Sequence, residues 1–138
     1  MLIDLPILVV EDSEDDILLL KHAWKKAGLD VPVIYTGDGA EAIQWLQQAV
    51  AGEADDHPMP KLLLTDLKMP KVSGFEVLDF LKSNPGCQTI TPLVWSSSTE
   101  ISDLRRAHAL GARCYLPKPH EEQGWKTLVQ TIMTFYQA

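Results

Sequence analysis

The chain has 138 residues, a length that suggests one domain with enough buried surface for its own core. Hydrophobic residues make up 46%, too many for a disordered chain, and the formal charge of -7 argues against a nucleic-acid partner, which would need a basic face. Nothing approaches the ~18 apolar residues of a membrane span; no basic segment followed by an apolar core opens the chain; and Cys87 and Cys114 lack metal-ligand spacing, so they read as reduced thiols of a cytoplasmic protein.

Ile7-Leu8-Val9-Val10 is a short apolar strand that stops on Glu11 and Asp12. The spacing then predicts a helix over 14–27, with Ile17, Leu20, Trp24 and Ala27 on its inner face. Ser13 caps it, Asp16 stands three residues on, and Gly28 ends it. Residues 31–35 are a second strand. Asp38 caps a second helix with Glu41 in the capping-box position, and its inner face is Ala42, Ile43, Leu46 and Val50. Residues 51–60 hold Glu53, Asp55, Asp56 and two prolines, the composition of an exposed acidic loop.

A third strand over 62–65 stops on Asp66, and Lys68, Met69, Pro70 and Gly74 follow. Ser73 and Glu76 form another capping box, opening a third helix with Phe75, Leu78 and Leu81 inward. Asn84-Pro85-Gly86 is a turn. Strand four, over 93–96, ends in the hydroxyls Ser96, Ser97 and Ser98. Helix four spans 100–110 with Ile101, Leu104 and Ala107 inward and Gly111 as its stop. Strand five, over 113–116, runs into Lys118-Pro119, and helix five carries Trp125, Leu128, Val129, Ile132 and Tyr136 at helical spacing.

Five strand–helix units imply an α/β fold: a doubly wound parallel sheet with helices on both faces and right-handed crossovers. Nothing follows helix five, so the expectation is one domain over 1–138. Four strands deliver a polar group at their carboxyl ends, where open α/β sheets place their ligand sites.

These residues resemble the receiver domain of two-component response regulators, over essentially the whole chain. Glu11 and Asp12 match the acidic pair after strand one, and Asp66 the phospho-accepting aspartate, with Met69-Pro70 and Gly74 behind it. Ser97, five residues after Pro92, matches the switch hydroxyl; Lys118 and Pro119 match the lysine and cis-proline after strand five; Tyr115, three residues earlier, matches the switch aromatic. The resemblance implies a flavodoxin-like (CheY-like) sheet of order 2-1-3-4-5 with five helices. It also implies phosphorylation of Asp66 by a sensor histidine kinase, and Mg²⁺ held by Glu11, Asp12, Asp66 and the backbone carbonyl of Lys68. The long acidic loop is similar to insertions in regulators paired with bacterial phytochromes. An output through a protein target, and a homodimer through helix four, strand five and helix five, are further family expectations. Two roles remain open: a messenger that binds its target through a switched face, or a shuttle passing phosphoryl groups to or from a histidine phosphotransfer protein.

The residue chemistry agrees with that family. Clustered acids repel each other and an incoming phosphate, so charge alone demands a hard divalent cation with oxygen ligands. Lys118 supplies a fixed cation and Ser97 a hydrogen-bond donor for the phosphoryl group. Rival readings lack parts. An aspartyl phosphatase needs a second acid two residues past the nucleophile, where this chain has Lys68. A flavin carrier needs a hydroxyl- and glycine-rich phosphate cradle, where residues 11–16 carry five acids around one serine. A degenerate receiver lacks the aspartate or the lysine, and both are present. His22, His57, His108 and His120 are scattered, and Trp24, Trp45, Trp95 and Trp125 read as packing, Trp125 with an interface as the alternative.

Overall fold

The computed structural model describes residues 5–52 and 57–138. Glu53, Asp55 and Asp56 of the expected acidic loop lie outside the described residues. The elements follow in chain order: β1 (Ile7–Val10), α1 (Glu14–Lys26), β2 (Val33–Thr36), α2 (Gly39–Ala51), β3 (Leu62–Thr65), α3 (Gly74–Ser83), a 3₁₀ turn (Pro85–Cys87), β4 (Thr91–Ser96), α4 (Ile101–Ala109), β5 (Cys114–Pro117) and α5 (Glu122–Gln137). All strand pairs are parallel, in the order β2-β1-β3-β4-β5.

β1 and β3 are buried at every residue, which is why they are continuous apolar runs rather than alternating ones. One sheet face, with Ile7, Val9, Leu62, Leu64, Leu93 and Trp95, packs against Leu20 and Trp24 of α1 and Leu128, Val129, Ile132 and Tyr136 of α5. The other face sends Leu8, Val10 and Leu63 against Ala42 and Leu46 of α2 and Val77 and Leu81 of α3. α4 is held by a smaller cluster, where Ala107 meets Phe75, Leu78 and Val94.

Caps set where the helices begin. Ser73 and Glu76 make the reciprocal capping box at α3. Asp38 accepts from the Glu41 N–H, but the Glu41 carboxylate turns to the Gly37 N–H instead of closing the box. Gly28 and Gly111 end α1 and α4 with φ of +70° and +99°, the left-handed conformation that favours glycine.

The inner faces expected for α1, α2 and α4 are narrower than their spacing suggests. Ala27 is exposed, Val50 is 39% exposed, and on α4 Ile101 is 66% and Leu104 39% exposed. α4 sits near the sheet edge, where neighbours cover less than a full helix face; periodicity marks a shared face but not whether anything covers it. The expected cis-proline is also corrected. The described residues contain no cis peptide bond, so Lys118–Pro119 is trans, the isomer favoured for X–Pro bonds by ~0.5–1 kcal/mol.

Candidate functional site

The ladder pairs that end the strands bring the polar residues together. Val10 lies opposite Thr65, and the Asp66 N–H donates to the Val10 carbonyl at 3.0 Å. Glu11 and Asp66 therefore leave adjacent strands at one level. On the other side Ser96 pairs with Pro117, and the Lys118 N–H donates to the Ser96 carbonyl at 3.0 Å.

Asp66 lies two strands from β5, roughly 10 Å at the usual strand spacing, so Lys118 must reach across the end of β4. Its stem does so above the buried Trp95 ring, whose centroid is 5.0 Å from Nζ. Lys118 Nζ ends 2.7 Å from Glu11 Oε1, 2.7 Å from Asp16 Oδ2 and 3.1 Å from Asp66 Oδ2. Burial alone would lower the ammonium pKa, but the three carboxylates outweigh it and push the value above its ordinary range. Lys118 is thus a permanent cation.

Asp66 is fixed from both sides. Its Oδ1 accepts from the Leu67 N–H at 2.7 Å and its Oδ2 from Lys118. Thr65 Oγ1 donates to the Asp66 carbonyl at 2.7 Å. Gly74 closes against the same carbonyl: a Cβ there would stand 1.8 Å from the Asp66 oxygen and 2.9 Å from Leu67 Cα. The Gly74 N–H instead donates to the Leu67 carbonyl at 2.8 Å, folding the segment after β3 back onto Asp66. The glycine is needed because backbone passes where a side chain would be.

Glu11 is fully buried. Burial raises its carboxyl from 4.5 to about 7, with Asp66 adding to the rise and Lys118 and the Ser13 N–H holding it down. Its Oε1, at ion-pairing distance from Lys118, has no hydrogen-bond partner in a suitable direction. Oxygens of Glu11, Asp12 and Asp66 all lie within 4.8 Å of one another, with Asp12 on the solvent side. Three hard oxygen donors, one of them from the buried carboxylate of Glu11, fit Mg²⁺ chemistry.

The opposite half of the rim is looser. Ser97 follows β4 and is exposed, whereas Ser96 is buried and accepts from the Ser98 N–H. Tyr115 is half-buried and its hydroxyl donates to the Ser98 carbonyl at 3.2 Å. Ser98 Oγ donates to Asp103 Oδ2 at 2.6 Å, and Lys68 Nζ lies 3.4 Å from the same oxygen. Ser98 and Lys68 together hold the Asp103 carboxyl below its usual range. The Lys68 side chain therefore points toward α4, and only its backbone remains for the acidic cluster.

Sequence reasoning missed one member. Asp16 looked like the third residue of a capping box, and its N–H does donate to Ser13 Oγ. Its carboxylate goes to Lys118 instead, and Glu11 Oε2 accepts from the Ser13 N–H in its place. The available signal was a third acid in the α1 first turn, more than dipole complementarity requires.

Comparison with known proteins agrees with this geometry. The model of the response regulator receiver domain matches residues 7–130. Response regulator Rcp1 of Synechocystis sp. is 36% identical over 130 residues, 94% of this chain and 87% of Rcp1. A crystal structure of the Mn²⁺-bound form of Rcp1 superposes with a TM-score of 0.81, covering 96% of this chain and 94% of that one. The phosphorylated cyanobacterial phytochrome response regulator RcpA is 30% identical with a TM-score of 0.83, covering 99% of this chain and 96% of that one. An aspartate wedged between a buried lysine and an acid cluster, on a 2-1-3-4-5 sheet, belongs with these proteins: the chain is a member of the response regulator receiver domain family, the phosphorelay proteins of two-component signalling.

Proposed function

We propose that Asp66 accepts a phosphoryl group from a phosphohistidine of a sensor histidine kinase, in a Mg²⁺-dependent reaction, and later loses it to water. The carrying observation is the convergence of Asp66 with Glu11 and Asp12 within 4.8 Å and with Lys118 at 3.1 Å. An Asp66 carboxylate oxygen forms the new bond to phosphorus while the phosphorus–nitrogen bond breaks, its electron pair staying on the imidazole.

Glu11, Asp12, Asp66 and the Lys68 backbone carbonyl would hold the cation. Bound Mg²⁺ supplies charge neutralisation for carboxylates and phosphoryl oxygens alike. Lys118 keeps a positive charge where the phosphoryl oxygens gather. Ser97 donates to the phosphoryl group by turning inward from its exposed position, and Tyr115 gives up the Ser98 carbonyl and follows. Charge-assisted contacts are each worth ~1.5–3 kcal/mol, so a few approach the ~5.5 kcal/mol that inverts a two-state population from 1:99 to 99:1. The resulting change on α4, β5 and α5 is the signal read by a protein target, and the same face is the candidate for a homodimer. The likeness to Rcp1 and to the phytochrome regulator RcpA supports a phytochrome-like kinase upstream. Among the described residues no helix is long and apolar enough to cross a membrane, which fits a cytoplasmic signalling protein.

Incubation with acetyl phosphate and Mg²⁺, followed by mass spectrometry, tests the reading. A phosphoryl mass gain that needs Mg²⁺ and is missing from Asp66→Ala is expected. A gain that persists in that variant, or never appears in the native chain, rejects it.

A further inference from the structure

Lys118 has three ammonium protons and three carboxylate neighbours, each from a different element: Glu11 after β1, Asp16 in α1 and Asp66 after β3. These neighbours are not equivalent. Glu11 and Asp66 belong to the acid cluster with Asp12, so a divalent cation competes with Lys118 for their oxygens. Asp66 also loses its free carboxylate once it carries a phosphoryl group. Asp16 lies outside that cluster and is already at 2.7 Å, closer to the ammonium than Asp66 is.

We infer that Asp16 is a positioning residue for phosphoryl transfer, anchoring the Lys118 ammonium from α1 while Glu11 and Asp66 serve the cation and the phosphoryl group. This inference rests on the phosphorylation of Asp66 proposed above. A lysine is a flexible stem carrying a point charge, and geometry has to be imposed on it from outside. Without Asp16 the ammonium settles on Glu11 and Asp66, against the cation, or swings to solvent. With Asp16 it stays at the rim, half-shared with Asp66, where phosphoryl oxygens can replace the Asp66 contact.

The plain alternative is that Asp16 is an acid favouring the α1 N-terminus. Glu14 and Asp15 already fill that role from exposed positions in the same turn. Only Asp16 sends its carboxylate to a partner 102 residues away.

The test is a double-mutant cycle of Asp16→Asn and Lys118→Met, with Asp15→Asn as a control of equal charge change on the same turn. The readout is affinity for beryllofluoride, a phosphoryl mimic, at saturating Mg²⁺, followed by tryptophan fluorescence, since Trp95 lies against Lys118. Circular dichroism melts verify folding. Asp16→Asn should weaken beryllofluoride binding by about tenfold, the share of one charge-assisted contact, and slow phosphorylation by acetyl phosphate in parallel. In the Lys118→Met background the same substitution should change nothing, and Asp15→Asn should change nothing in either. Equal losses in both backgrounds, or no loss in the native one, overturn the positioning role while leaving Asp66 phosphorylation standing. Failure of the native chain to bind beryllofluoride or take up phosphate removes the function and this inference together.

Discussion

The two halves of the carboxyl rim are built differently. The half at β1, β3 and Lys118 is buried apart from Asp12 and is clamped by backbone hydrogen bonds. The half at β4, β5 and α4 is exposed: Ser97 faces solvent, Tyr115 is half-covered, and α4 buries little beyond Ala107. α4 also starts without a side-chain cap hydrogen bond, unlike α1, α2 and α3. Its attachment runs instead through Ser98, Asp103 and Lys68, and through Arg106 lying over the Phe75 ring at 4.1 Å. Chemistry needs fixed charges, because a misplaced cation or nucleophile forfeits the transition state. Signalling needs an element that a few contacts can move, and such elements come from the weakly packed end of a structure.

Core truncation should break the first half and spare the second. Leu64→Ala, at a fully buried position in β3, should cost ~2–5 kcal/mol in urea unfolding, whereas Leu104→Ala on α4 should stay within about 0.5–1 kcal/mol. Comparable losses would mean that α4 is as firmly seated as the sheet.

Gly74→Ala should also damage the rigid half. Its Cβ would overlap the Asp66 carbonyl, so backbone must move at ~1–3 kcal/mol or more, and phosphorylation should fall with stability. A variant of native stability and native phosphorylation would show that the turn after β3 is softer than its geometry implies.

The pH dependence of Mg²⁺ affinity sharpens the electrostatic side of the comparison. The Glu11 carboxyl is raised from 4.5 to about 7, so below about pH 7 the folded chain without metal favours its protonated form. Its contribution to stability is full below 4.5 and is lost as pH rises through about 7. Mg²⁺ requires the ionised form. Affinity measured by tryptophan fluorescence should therefore be flat above pH 7 and fall by about tenfold per pH unit beneath it. Glu11→Gln should abolish that slope; a slope that survives places the proton elsewhere.

The smallest effect is expected at the α4 latch. Asp103→Asn removes a partner of the exposed Lys68 and of Ser98, and an ion pair with one member in solvent adds little to stability. The unfolding midpoint should barely move. Amide exchange at the start of α4 should nonetheless quicken, and unchanged exchange would show that the latch does not hold the helix.

Much of this molecule was legible before any coordinates. Alternating apolar runs and amphipathic helices required the parallel sheet, and acids, hydroxyls or a lysine at four strand ends required a shared rim. Glu11, Asp12, Asp66 and Lys118 meet there because strand register converts position in the chain into position at the edge. Ser13, Asp38 and Ser73 cap their helices as their positions imply, because the accepting side chain and the N–H it meets lie within one turn.

Other features depend on what lies across a gap, which no local pattern carries. Asp16 was indistinguishable from a helix-capping acid until α1 was seated beside the end of Lys118. Ile101 and Leu104 have the spacing of a buried face, and only the position of α4 near the sheet edge leaves them in solvent. The turn of Lys68 toward Asp103 was settled likewise by a neighbour distant in sequence. Sequence alone fixes the period, the caps and the chemical type at each strand end, since these act over a few residues. Which charges pair, and which apolar faces stay bare, is decided by tertiary packing, because partners and cover come from other parts of the chain.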